Sequence, residues 1–149
     1  MLGDQIGAER GKVTGYRILR SEGAGPKVEV AFQASGKILG VDHSTLATYT
    51  SMMRPDGTVL GEGQGVVRGA KGQMASWVGQ GVGKLGCGQA ISYRGAIYYQ
   101  SASPEWSRLN NVRRYSSMRS TNRATRMRRF GSGSRQRLCD RVGVPLKGR

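Results

Sequence analysis

A chain of 149 residues with 37% apolar side chains is long enough for one domain with a buried core, and its 24 glycines are about twice the usual share. No run approaches the roughly 20 apolar residues of a helical membrane span, MLGDQIGAERGK lacks the apolar core of a secretory leader, and Cys87 and Cys139 show no CxxC or Cys/His grouping, which excludes a disulfide framework or zinc site. The net charge of +15 divides unevenly: residues 1–110 carry 12 Lys/Arg against 8 Asp/Glu, a net of +4, and residues 111–149 carry 12 Lys/Arg against Asp140 alone, a net of +11.

Residues 1–11 are polar and read as a frayed lead-in. Strand character begins at 12–19 (KVTGYRIL), and SEGAGP punctuates it as a turn. Residues 27–34 (KVEVAFQA) put Val28, Val30 and Phe32 on one face and Lys27, Glu29 and Gln33 on the other, the alternation of a half-buried strand. Ser35-Gly36 reads as the next turn, and 44–53 (STLATYTSMM) as a strand rich in β-branched and aromatic residues. Arg54-Pro55-Asp56-Gly57 predicts a hairpin, because proline presets φ and glycine accepts a positive φ.

Strands follow at about 58–67, 73–80 and 89–100, separated by RGAKG and GVGKLGCG. Residues 57–100 hold 12 of the 24 glycines, two apart at 61, 63, 65 and again at 79, 81, 83. Glycines inside strands mark bends, bulges or close backbone approach. Neither run fits GxxxxGK[ST], nor GxGxxG opening a helix, so a phosphate loop is excluded. SASPEWSRLNN predicts one short helical turn, with Ser103 as cap, Pro104 at the first position, and Trp106 and Leu109 following. Turn signals every 8–14 residues, without a 3.6-residue stripe, predict an all-β barrel or sandwich.

The chemistry-bearing candidates are few. Asp42-His43-Ser44 brings three catalytic residue types together in sequence, although triads are assembled in space, and no GxSxG elbow is present. His43, the sole histidine, serves as a satisfied polar residue or as a base. Glu62 lies mid-strand between two glycines: facing inward it needs a partner such as Arg68 or Arg94, and facing outward it is a solubilising charge. An eight-stranded barrel is wide enough for one small ligand, and such pockets pair aromatic walls with a few polar groups. Tyr49, Met52, Met74, Trp77 and Tyr93 are the expected pocket members, subject to the rule that a one-residue register change exchanges the faces. No metal ligands and no cofactor are expected.

Beyond residue 112 neither period persists. The segment reads as a disordered charged extension, since its few apolar groups cannot offset the entropy of ordering, or as an Arg-rich arm for nucleic acid or another anion. A third reading is a shifted reading frame. Codons permitted for Arg114 onward, read two bases later, spell VFEYEVDEQGNANAKVWEWK, two alternating strands around a Gly-Asn turn.

The run GEGQGVVRGAKGQMASWVGQGVGKL, followed by ISYRGAIYYQSASPEWSRLN, resembles a group of small uncharacterised bacterial proteins of actinobacterial type, over about residues 10–112. The resemblance implies that an acidic, aromatic strand pair should follow, and this chain departs from it at Arg113. A looser similarity to calycin-like barrels, such as lipocalins and the allene oxide cyclase type, implies an internal cavity.

The expectation is therefore an all-β, small antiparallel up-and-down barrel over 1–112, calycin-like, with one short helical segment, a basic tail over 113–149, and closure left open by that tail. The expected function is that of a soluble, cytoplasmic, non-enzymatic protein binding a small, partly apolar molecule, with a homo-oligomer as a further option and no membrane partner. Alternatives are a nucleic-acid or anion binder working through the tail, and a barrel enzyme of cyclase or isomerase type using Glu62 or His43.

Overall fold

Alternating burial organises the chain into eight antiparallel strands in the computed structural model, which describes residues 5–21, 25–86, 90–110, 113–120 and 125–129. They are β1 (Gly7–Leu19), β2 (Lys27–Ile38), β3 (Val41–Met53), β4 (Thr58–Gly69), β5 (Met74–Leu85), β6 (Ile91–Gln100), β7 (Arg113–Ser120) and β8 (Thr125–Arg129). Each pairs with the next, and β8 returns to β1, so the sheet is a closed up-and-down barrel. Closure pairs the outer edge of β1 over Gly7–Gly11.

Side chains alternate across a strand, so one parity of each strand fills the barrel. Along β3, His43, Thr45, Ala47 and Tyr49 are buried while Asp42, Ser44 and Leu46 are exposed. Val30, Phe32, Ala34 and Ile38 of β2, with Val59, Val67, Trp77, Tyr93, Ile97 and Tyr99, complete the interior. Burying each large apolar side chain is worth about 1.5–3 kcal/mol. Phe32 meets Tyr49, and Tyr49 meets Tyr93, edge to face with ring centroids 6.0 Å apart in both pairs. That geometry suits the ring quadrupoles.

The glycine-rich wall is what makes room for these rings. Gly61, Gly63 and Gly65 occupy the inward parity of β4; a Cβ on Gly61 would stand 2.8 Å from Tyr93 Cε1, and one on Gly65 2.7 Å from Trp77 Nε1. The same logic corrects three boundaries read from the sequence. The supposed lead-in holds the start of β1, which begins at Gly7. Ser35-Gly36 is strand rather than turn: Gly36 sits between Glu9 and His43, and a Cβ there would collide with the Ala8 carbonyl. The chain reverses instead at Leu39 (φ 49°) and Gly40 (φ 80°), the pair of positive φ values that matches strand twist. Finally, β5 runs on through Gly79, Gly81 and Gly83 to Leu85. The Arg54–Gly57 hairpin forms as expected, with Gly57 at φ 77°.

Residues 104–109 form a 3₁₀ segment, Pro104–Leu109, that closes one end of the barrel with the fully buried Trp106 and Leu109. Ser103 does not cap it through its side chain; its hydroxyl accepts from Met74 N–H (3.0 Å) and so ties the segment to β5. Ser101 and Asn110 lock the two ends of the excursion together, Ser101 N–H donating to Asn110 Oδ1 and Asn110 Nδ2 to the Ser101 carbonyl, both at 2.8 Å.

β7 pairs with β6 over Ile91–Tyr98, and β8 pairs with β1 over Gly7–Gly11, so the basic segment supplies the closing hairpin. The free edges of β6 and β1 offer unpaired backbone donors and acceptors, and a ladder forms with a strand of almost any side-chain content. Cys87, Cys139 and residues 130–149 of the expected tail lie outside the described residues.

Candidate functional site

Tyr49 of β3, Trp77 of β5 and Tyr93 of β6 all point into the barrel, as expected, and line a cavity at its waist together with Phe32, Ile97 and Met118. The cavity measures about 50 Å³. Ligand pockets commonly run to about 300–1,000 Å³, so this one accepts only a few atoms unless a side chain moves. Tyr49 Oη and Ser120 Oγ are 2.9 Å apart, and Tyr93 Oη and Ser51 Oγ 2.8 Å apart, each pair sharing one hydrogen bond. Burial pushes the Tyr49 phenol up to about 12, against the opposing hydrogen bond from Ser120, and burial likewise raises Tyr93. Both phenols are therefore neutral donors, not bases, near neutrality. Trp77 Nε1 is a buried donor with no partner among the described residues.

The other two expected pocket members lie elsewhere. Met74 is 52% exposed on the outside of β5. Met52 has the outward parity of β3, paired with Lys27 and Leu60, and does not line the cavity. Apolar side chains near strand ends carry no period strong enough to tell the faces apart.

Glu62 is exposed on the outer face and accepts a hydrogen bond from Gln80 Nε2 at 3.1 Å. It is a surface carboxylate. His43 points inward, whereas its neighbours Asp42 and Ser44 point outward, and Asp42 instead faces Lys37 at 3.6 Å. The partners of His43 come from further away. Glu9 Oε2 lies 2.9 Å from His43 Nε2, sharing a hydrogen bond with it, and accepts from Thr45 Oγ1 at 2.7 Å, with both side chains of the His43–Glu9 pair buried. Sequence reading missed Glu9 and Thr45. Thr45 shares the parity of His43 and Tyr49 and was within reach of a face assignment, but Glu9 is brought there only by the β1–β2–β3 register.

Among the described residues no group of three His, Cys, Asp or Glu is placed to hold a metal ion, and no helix is long and apolar enough to cross a membrane. His43 and Glu62 lie on opposite faces of the wall and cannot serve one active centre.

No protein-family model matches the chain, and no curated protein sequence matches it. Among solved structures it is similar to a protein of unknown function from Clostridium acetobutylicum ATCC 824, at 11% identity and a TM-score of 0.75, over 85% of this chain and 95% of that one. It is also similar to a conserved protein of unknown function from Rhodopseudomonas palustris, at 10% identity and a TM-score of 0.71, over 85% of this chain and 93% of that one. Likeness at this identity concerns the fold alone: this chain shares the barrel architecture of two bacterial proteins whose own activities are unknown.

Proposed function

We propose that the barrel is a non-enzymatic binding protein that takes a small, partly apolar molecule at its waist. The observation that supports this is a small cavity walled by Phe32, Tyr49, Trp77, Tyr93 and Met118. Aromatic walls supply contact area, and the Tyr49 and Tyr93 hydroxyls supply a few oriented polar groups. A volume of about 50 Å³ limits the unassisted guest to a short chain or a single small group, and displacement of Met118 enlarges it. Kinship with the actinobacterial-type group and with calycin barrels belongs to the same proposal.

The test is titration of the full chain with xenon and with short-chain alcohols, followed by methyl and indole NMR. Saturable shifts confined to Ile97, Met118 and Trp77, abolished by Ser116→Phe, are expected, because Ser116 lines the cavity from β7. Absence of saturable shifts in the wild-type chain, or their persistence in Ser116→Phe, would overturn the reading.

A second reading, an outer surface for nucleic acid or another polyanion, draws on one feature. In register across the closing hairpin, Arg126 stands between Arg119 and Arg10. Arg10 and Arg119 are exposed, and exposed arginines on one surface attract a polyanion. Affinity for duplex DNA that falls steeply with salt and drops on Arg10→Ala with Arg119→Ala would support it; salt-independent or absent binding removes it.

A further inference from the structure

At the closed end of the barrel, polar side chains alternate with glycines around the inner wall. In register run Glu9, Gly36, His43 and Gly69, and Gly69 N–H donates to the Gln73 carbonyl at 2.8 Å across the next turn. Glu9, His43 and Gln73 are all buried. The glycines let these side chains pack closely: a Cβ on Gly69 would collide with Gln73 Oε1 and stand 3.1 Å from Trp106 Cζ2. So the ring of Trp106 lies against Gly69, and His43 is the register neighbour of Gly69.

The proton on His43 is assigned by its partner. An ionised carboxylate only accepts hydrogen bonds, so with Glu9 ionised the 2.9 Å contact between His43 Nε2 and Glu9 Oε2 is donated by the ring. Nε2 then carries a proton, and in the neutral ring Nδ1 keeps its lone pair. Nδ1 of His43 is a buried acceptor and Nε1 of Trp106 a buried donor, and neither has a partner among the described residues. The His43 side chain and Trp106 are both 0% exposed. Buried polar atoms in native proteins are almost always satisfied, if not by protein then by an ordered small molecule.

We propose that this end of the barrel is a built internal site for one small neutral hydrogen-bonding molecule, water or a guest of its size, that donates to His43 Nδ1 and accepts from Trp106 Nε1. Charged guests do not fit the pair. A cation meets the indole N–H donor, and an anion meets the imidazole lone pair with the Glu9 carboxylate behind it. The site is distinct from the waist cavity, since neither His43 nor Trp106 lines that cavity.

Water itself is the probe. In the ¹⁵N-labelled full chain, long-range ¹H–¹⁵N spectra are expected to show His43 protonated at Nε2 and bare at Nδ1. The Trp106 indole proton should give a cross-relaxation peak to a long-lived water. Trp106→Phe removes the donor while keeping an aromatic plug, and is expected to lose that water peak and shift the His43 Nδ1 resonance. A proton on Nδ1, or no long-lived water at the Trp106 indole in the wild-type chain, overturns the proposal. The wild-type spectra decide it even if the variant fails to fold.

Discussion

Burial decides the chemistry of the interior phenols. Tyr49 holds its proton to about pH 12 in the folded barrel, whereas an unfolded tyrosine releases it near 10. The unfolded state therefore binds fewer protons above pH 10, and stability falls as pH rises through that window, by up to about 3 kcal/mol. The urea midpoint of the wild-type protein should decline between pH 10 and 12, and Tyr49→Phe should flatten most of that decline. An unchanged slope in the variant would count against burial as the cause. The same scale separates Asp42-His43-Ser44: neighbours in a strand face opposite ways, so His43 finds its carboxylate 34 residues upstream at Glu9.

At the scale of the strands, the informative pattern is glycine on the inward parity of β4 and β5. Gly61 and Gly83 are seats for Tyr93, and Gly63 and Gly65 for Trp77, whose rings lie where Cβ atoms would otherwise stand. Gly65→Ala should destabilise the barrel by about 1–3 kcal/mol through overpacking against Trp77 and Ala47, measured by urea unfolding. Val66→Thr on the exposed parity should cost less than about 0.5 kcal/mol. Equal effects at the two positions would show that the rings relax away from a new methyl group. Inward and outward positions of β2 were legible from its alternation; the span of β1 was not, because Glu9 and Arg10 look like solvent residues until β8 and β2 pair on either side of them.

For the whole molecule, the closing hairpin carries the largest consequence. Its inward positions hold Ser116, Met118 and Ser120, and the first two border the waist cavity. The alternative frame places Phe, Tyr and Val at those three register positions and Glu at the two between them, the alternation that a barrel wall requires. A chain carrying that peptide in place of residues 115–134 should melt higher, gaining about 1.5–3 kcal/mol for each large side chain buried. A chain ending at 112 should fail to give a folded monomer, since it leaves β6 and β1 as open edges. Calorimetry of the two chains beside the wild type checks both outcomes. A lower melting temperature for the replacement, or a cooperative monomeric transition for the truncation, would contradict this account of closure.

The amino-acid sequence by itself determined the class and topology: period-two patterning, turn chemistry such as Arg54–Gly57, and the absence of a helical stripe are local properties, and local properties suffice for an up-and-down meander. It also singled out Tyr49, Trp77 and Tyr93 as candidates for the interior, without fixing which face they take. Only the tertiary structure decided that β7 and β8 close the sheet, that Glu9 belongs to His43, and that Met74 and Glu62 face outward. Each of those depends on register between strands. Register is a long-range pairing, set by which edges meet and which rings need room, and no window of consecutive residues contains it.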